Sequence, residues 1–242
     1  MSAQLLVPDD ASFGVVAADA VLAALPGSHP RLGVATGGTP VPLYEELARR
    51  TRSGAVDLST ATLVALDEYL GVDGDDPRSY AAFVRMRIAQ PLGVPMGDVV
   101  VPDGIAADPE GEAAAVERRI GEIGGIDVQI VGIGSNGHLA FNEPGSDFDS
   151  ATRVVTLSDA TRRDNARFFD GRVDKVPRRA ITQGLGTIGR ARAIVLVARG
   201  IGKAEALSAA LRGQRTTEVP ASVLQDHGAV TVVADHAAAS LL

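Results

Sequence analysis

The sequence predicts an α/β fold, one domain with a mostly parallel open sheet and helices on both of its faces. Three observations predict it. Short apolar runs of strand type alternate with longer runs of helical period along the chain. The strand runs are apolar almost without interruption, as parallel strands buried on both faces are. Polar or glycine-rich segments follow directly on three strand ends, at Thr36-Gly37-Gly38-Thr39, at Asp67 and within Ile130–Asp147. Open parallel sheets keep their ligand crevice at such ends.

The first element is a helix over Ser12–Leu25, where Phe13, Val16, Ala17, Ala20, Val21 and Ala24 recur at helical spacing. Arg31–Ala35 is a buried strand, and Pro42–Arg52 after it is an amphipathic helix. Ala61–Leu66 is the next strand, and the acidic turn Asp73–Asp76 beyond it reads as solvated loop. Pro109–Ile123 is amphipathic, Ile126–Ile133 is the longest buried strand and Arg153–Leu157 a shorter one. Ala193–Ala198, the helix Lys203–Arg212 and the strand Ala229–Ala234 complete the alternation. No repeat appears, and no Pro/Gly/Ser-rich linker is long enough to divide the chain, so residues 1–242 read as a single domain.

Composition narrows the function. The 242 residues suffice to bury a substantial core. No apolar run reaches the roughly 18 residues of a membrane span, and MSAQLLVPDD lacks the basic and apolar regions of a leader, so a cytoplasmic protein without a membrane partner is expected. The net charge is −7, and the arginine pairs at 118–119, 162–163 and 178–179 are dispersed, which argues against nucleic acid. With no cysteine there is neither a disulfide nor a thiolate nucleophile. Acid/base chemistry on Asp, Glu and His remains.

Four segments carry candidate residues. Gly37, Gly38 and Thr39, between a strand and a helix, suit either a backbone cradle for a phosphate or a tight turn without a ligand. Neither G-x-G-x-x-G nor a Walker A pattern is present. Lys203 repeats the strand-to-helix placement, as an anion ligand or a surface cation. Asp67 ends a buried strand, where a carboxylate with its ordinary pKa is ionised at neutral pH; it is either a base for a carbon-bound proton or a helix cap. His138 lies in a glycine-rich loop, with Asn136 before it and Glu143 after it. A proton relay, a metal ligand and a residue that only satisfies the turn all fit, although no H-E-x-x-H helix or second histidine ligand is evident. His29, His227 and His236 have no comparable surroundings.

Together these residues resemble the glucosamine-6-phosphate deaminases, sugar isomerase-deaminases that turn glucosamine 6-phosphate into fructose 6-phosphate and ammonia. The resemblance covers nearly the whole chain. It runs through Ala35-Thr36-Gly37-Gly38-Thr39-Pro40, Leu66-Asp67-Glu68-Tyr69, Gly132-Ile133-Gly134-Ser135-Asn136-Gly137-His138, Phe141-Asn142-Glu143-Pro144, Asn165-Ala166-Arg167-Phe168-Phe169 and Gly202-Lys203. It implies a Rossmann-like fold and roles for single residues. Asp67 is the base and acid of enolisation, His138 carries the proton in ring opening, and Asn136 and Glu143 support His138. Gly37, Gly38, Thr39, Arg167 and Lys203 hold the phosphate.

By the same resemblance the enzyme needs no cofactor and no metal, its partner is a small-molecule sugar phosphate, and it serves amino-sugar catabolism. A homo-oligomer is left open, and 156–180 is expected to form a lid. Some members carry Asp where this chain has Asn136, which leaves the negative charge beside the imidazole to Glu143. Longer relatives are allosteric hexamers that respond to N-acetylglucosamine 6-phosphate and carry a C-terminal extension not seen after Ala229–Ala234 here, so no strong activation by that effector is expected. Two rivals stand beside the deaminase. One is a related sugar-phosphate enzyme, such as a 6-phosphogluconolactonase or a galactosamine-6-phosphate deaminase; the other is a noncatalytic sugar-phosphate sensor.

Overall fold

A computed structural model describes residues 3–242. Seven strands form a sheet in the order β1-β10-β9-β6-β2-β3-β5: β1 (Gln4–Leu6), β2 (Arg31–Val34), β3 (Thr62–Ala65), β5 (Val99–Val100), β6 (Val128–Gly132), β9 (Ala193–Ala198) and β10 (Val230–Ala234). Every pairing in it is parallel. The helices are α1 (Phe13–Ala24), α2 (Val41–Arg52), α3 (Tyr80–Val84), α4 (Gln90–Leu92), α5 (Pro109–Glu122), α6 (Asp159–Asn165), α7 (Leu185–Gly189) and α8 (Ala204–Arg212). A π-helical turn, Arg85–Ala89, joins α3 to α4.

The sheet is parallel because its strands are too apolar to leave a face in water. Leu32, Val34, Leu63, Val64, Ile130, Val131, Leu196, Val197, Val232 and Val233 are all buried. Strand β2 lies between β6 and β3. From β2 the chain goes outward to β3 and β5, then returns to build β6, β9 and β10 on the other side, so the topological switch point is the seam between β2 and β6. Close approach at that seam depends on Gly33, since a Cβ there would lie 2.1 Å from the buried Gln129 side chain. The end of β2 is pinned from α2, where the Tyr44 hydroxyl donates to the Ala35 carbonyl at 2.8 Å and accepts from its N–H at 3.0 Å.

A second sheet, in the order β4-β8-β7, is antiparallel and sits beyond the carboxyl end of β3: β4 (Asp67–Tyr69), β8 (Arg179–Thr182) and β7 (Arg153–Thr156). This corrects the reading of Arg153–Leu157 as a buried strand of the parallel sheet. Arg153, Val154 and Val155 are half-buried and Thr156 is exposed, too open for a strand covered on both faces. The two sheets are tied where Gln183 N–H donates to the Leu66 carbonyl at 2.7 Å. Beneath the small sheet, Tyr69, Phe141, Leu157 and Phe169 form their own apolar cluster. Asp67 is correspondingly the first residue of its own strand rather than the end of β3.

Candidate active site

Four carboxyl-terminal strand ends surround one cleft of about 310 Å³, the lower end of the range for small-molecule sites. The β2 loop contributes Gly37, Gly38 and Thr39. Asp67 enters from the start of β4, His138 from the loop after β6, and Arg199 with Lys203 from the turn after β9. The α6 segment covers one side with Thr161, Asp164 and Arg167, and Tyr80 lines the wall from α3. Asn136 and Glu143 are not part of the lining; they stand behind His138.

Asp67 is 5 % exposed and lines the cleft. Burial raises its pKa well above the ordinary carboxylate range, and the neighbouring Glu68 charge raises it further. The sequence reading gave this carboxyl its ordinary pKa; desolvation overturns that. A carboxylate so destabilised is a stronger base than one in water, and once protonated a better matched acid near neutral pH.

The His138 loop is built on glycine. Its backbone closes through Gly134 N–H to the His138 carbonyl at 2.9 Å, and Gly137 has φ 84°, a conformation side chains resist. The imidazole lies flat against Gly134, where a Cβ would come within 2.2 Å of Cε1. The Nδ1 atom is buried without a hydrogen-bond partner, 3.9 Å from a Glu143 oxygen. Burial lowers the His138 pKa against the opposing Glu143 charge, so the neutral imidazole prevails at pH 7.

Glu143 is held from three sides. Asn136 Nδ2 donates to it at 2.8 Å, Ser158 Oγ at 2.9 Å, and the Thr161 hydroxyl closes the set. Burial pushes this carboxyl up, but these donors and the nearby imidazole outweigh it and keep Glu143 below the usual range. Asn136 thereby gains a physical reason: an amide donates to Glu143 where a carboxylate would repel it. Asn136→Asp loses the 2.8 Å bond and adds a negative charge beside the ring. A second negative charge favours imidazolium, so the His138 pKa is expected to rise by about half a unit or more, read from the imidazole resonances in an NMR titration. A pKa that stays or falls would contradict this electrostatic account.

The cationic side of the cleft is Lys203 and Arg167. Burial lowers the Lys203 pKa, with Arg167 acting in the same sense and Asp164 opposing. Among the described residues neither cation is ion-paired, whereas Arg199 beside them is paired with Asp10 at 2.8 Å. Arg167 rests over the Phe168 ring at 4.8 Å. In a chain of net charge −7, two unpaired cations lining the same cleft as a glycine turn suit an anion.

All of the predicted residues therefore fall at one place, either lining the cleft or supporting a lining residue. Sequence reasoning missed Tyr80, Ser158, Thr161 and Asp164. For Ser158 a signal was present, since Ser158-x-x-Thr161 is a helix-cap spacing and Ser158 Oγ does cap α6, accepting from Thr161 N–H at 3.1 Å. Tyr80 carried none. Glycine spacing alone had left the 37–39 turn open between cradle and plain turn; the unpaired cations in the same cleft favour the cradle.

Residues 15–233 match the family described as glucosamine-6-phosphate isomerases/6-phosphogluconolactonase. The glucosamine-6-phosphate deaminase of Streptomyces avermitilis is 48 % identical over 240 residues, covering 98 % of this chain and 92 % of that protein. Its counterpart in Clostridium perfringens strain SM101 is 46 % identical over 211 residues, 87 % of each chain. Among solved structures, a monomeric glucosamine-6-phosphate deaminase superposes with a TM-score of 0.95 at 38 % identity, over 99 % of this chain and 100 % of its own. The 6-phosphogluconolactonase from Trypanosoma cruzi superposes at 0.81 with 22 % identity, over 100 % and 98 % of the two chains, a likeness of fold alone. No helix among the described residues is long and apolar enough to cross a membrane. By sequence along most of its length, and by the arrangement of its strand ends, the chain belongs to the glucosamine-6-phosphate isomerase/6-phosphogluconolactonase family.

Proposed function

We propose that this cleft binds glucosamine 6-phosphate, opens its ring, carries the C2 proton to C1 and releases the amine as ammonia by hydrolysis, leaving fructose 6-phosphate for amino-sugar catabolism in the cytoplasm. One observation carries the reading. A desolvated carboxyl (Asp67), an imidazole backed by a carboxylate (His138 and Glu143) and two unpaired cations (Arg167 and Lys203) meet in a single cleft. The segment 156–180 acts as its lid.

The chemistry follows from the protonation states. Neutral His138 takes the proton of the anomeric hydroxyl and returns it to the ring oxygen. The imidazolium formed in between is stabilised by Glu143 at 3.9 Å. The open-chain aldehyde acidifies C2. Ionised Asp67 removes that proton, giving an enolamine, and delivers it to C1; water then adds to the C2 iminium and ammonia leaves. No step calls for a metal or cofactor. The phosphate, held by the 37–39 turn, Arg167 and Lys203, lends binding energy that fixes C2 near Asp67.

A second reading, hydrolysis of 6-phosphogluconolactone, is favoured by the shared fold and the family's description. It has no proton at carbon to move, so it leaves the desolvated Asp67 without a task. Ammonia release is the direct test of the deaminase reading; the phosphate grip has its own. Lys203→Met is expected to raise the KM for glucosamine 6-phosphate about ten- to a hundredfold, as loss of a charged hydrogen bond should, with a smaller change in kcat. A KM within twofold of the original would remove Lys203 from the phosphate.

A further inference from the structure

Glu68, one residue past the proposed base, is used by no step above and is only 1 % exposed. A carboxylate so buried is costly unless hydrogen-bonded. Here it accepts three backbone N–H bonds, from Tyr69 at 2.8 Å, Tyr80 at 3.0 Å and Ala81 at 2.7 Å. Ser79 Oγ accepts the next amide, that of Ala82, at 2.9 Å. The free N–H groups of the first turn of α3 are thus satisfied by Glu68 and Ser79 together.

Side chains alternate along β4, so Asp67 meets the cleft while Glu68 points to the opposite face. Gly104 closes that face; a Cβ there would lie 2.5 Å from the Tyr69 carbonyl oxygen and 3.4 Å from Glu68 Cγ. At the start of α3, Tyr80 lines the cleft with Asp67 and stacks on Phe141, centroids 6.1 Å apart and planes inclined by 15°. Its hydroxyl is 3.1 Å from that of Tyr69.

We propose that Glu68 is a positioning residue for proton transfer at Asp67: from the far side of β4 it anchors the amino end of the Tyr80 helix, and with it the aromatic wall that keeps water from the Asp67 carboxyl. The charge of Glu68 acts in the same sense, raising the pKa of Asp67 beyond what burial does. Glu68 is itself pushed up by burial, opposed by its three amide donors, which bind the ionised form. The other titratable groups against the pair are Tyr69 and Tyr80, both pushed up by burial and neutral in the working range. Strand β8 faces the pair with Ile181 and Thr182, and among the described residues no arginine or lysine is ion-paired with either carboxyl. The inference rests on Asp67 being the base.

Glu68→Gln removes the charge and sets an amide donor against backbone donors. Its kcat is expected to fall about tenfold, and the acid limb of kcat/KM to move down by about half a pH unit or more, while competitive inhibition by inorganic phosphate is unchanged. Glu68→Asp keeps the charge but is one methylene short of the α3 amides, so its kcat falls while the acid limb stays. An acid limb in Glu68→Gln coincident with the original overturns the proposal. Should that variant fail to fold, carbon-13 NMR of the carboxyls in the unaltered protein decides. Glu68 then stays ionised through the range in which Asp67 titrates, and a Glu68 that takes up its proton in that range overturns the role. Asp67→Asn separates the two levels: normal turnover in it removes the base itself, whereas an inactive Asp67→Asn beside an unshifted Glu68→Gln removes only Glu68.

Discussion

Asp67→Asn is expected to lose about a thousandfold or more in loss of the C2 proton from glucosamine 6-phosphate, while still binding the sugar phosphate. An amide of the same shape fills the same buried position but cannot take a proton, and the cations that grip the phosphate are untouched. The measurement is release of deuterium from C2-deuterated substrate, beside inhibition by inorganic phosphate as the binding control. The pH dependence of the unaltered protein has a fixed sign. Asp67 must be ionised to act, and its pKa is raised by burial and then by Glu68. Activity is therefore lost as the pH falls through that raised value, well above the pH near 4 at which an ordinary aspartate protonates. Exchange at the normal rate in Asp67→Asn would show that another group moves the proton.

His138→Gln is expected to lower kcat about a hundredfold or more, by a different route. Glutamine keeps polar atoms against Gly134 but cannot shuttle a proton between the anomeric hydroxyl and the ring oxygen. The variant must use the open-chain sugar that solution supplies, and Asp67 still processes it. Its rate should thus cease to rise with enzyme concentration once spontaneous ring opening becomes limiting. Because burial lowers the His138 pKa, the neutral form needed for the first transfer persists below the ordinary histidine value of about 6.5. A His138→Gln rate proportional to enzyme and within tenfold of the original would place ring opening elsewhere.

The parallel sheet was legible because burial on both faces imposes an unbroken apolar code. Arg31–Ala35, Ala61–Leu66, Ile126–Ile133 and Ala193–Ala198 each contain the strand observed, within two residues at either end. The small sheet was not legible. Its strands are three or four residues long, β4 is formed by Asp67, Glu68 and Tyr69, and it pairs with β8 more than a hundred residues later, so no local pattern announces it. The stretch Tyr80–Leu92 hides its helix behind a π turn and Pro91.

At the site, residue types at strand ends pointed to Asp67, His138 and Lys203, because topology alone makes such ends functional. What charge each residue carries was beyond the sequence. The raised pKa of Asp67 and the lowered pKa of His138 come from burial, and the grip of Ser158 and Thr161 on Glu143 comes from α6 folding back over the loop. Asn136 shows the same limit. As a letter it reads as a missing charge, and as a placed side chain it is the donor that holds Glu143 beneath the imidazole.

Ammonia release from glucosamine 6-phosphate, followed beside galactosamine 6-phosphate and 6-phosphogluconolactone with purified, metal-free protein, tests the central claim most directly. The account predicts one ammonia and one fructose 6-phosphate for each glucosamine 6-phosphate consumed, with the lactone left intact. Hydrolysis of the lactone without release of ammonia from the amino sugar, or tight binding of sugar phosphates with no turnover at all, would contradict it.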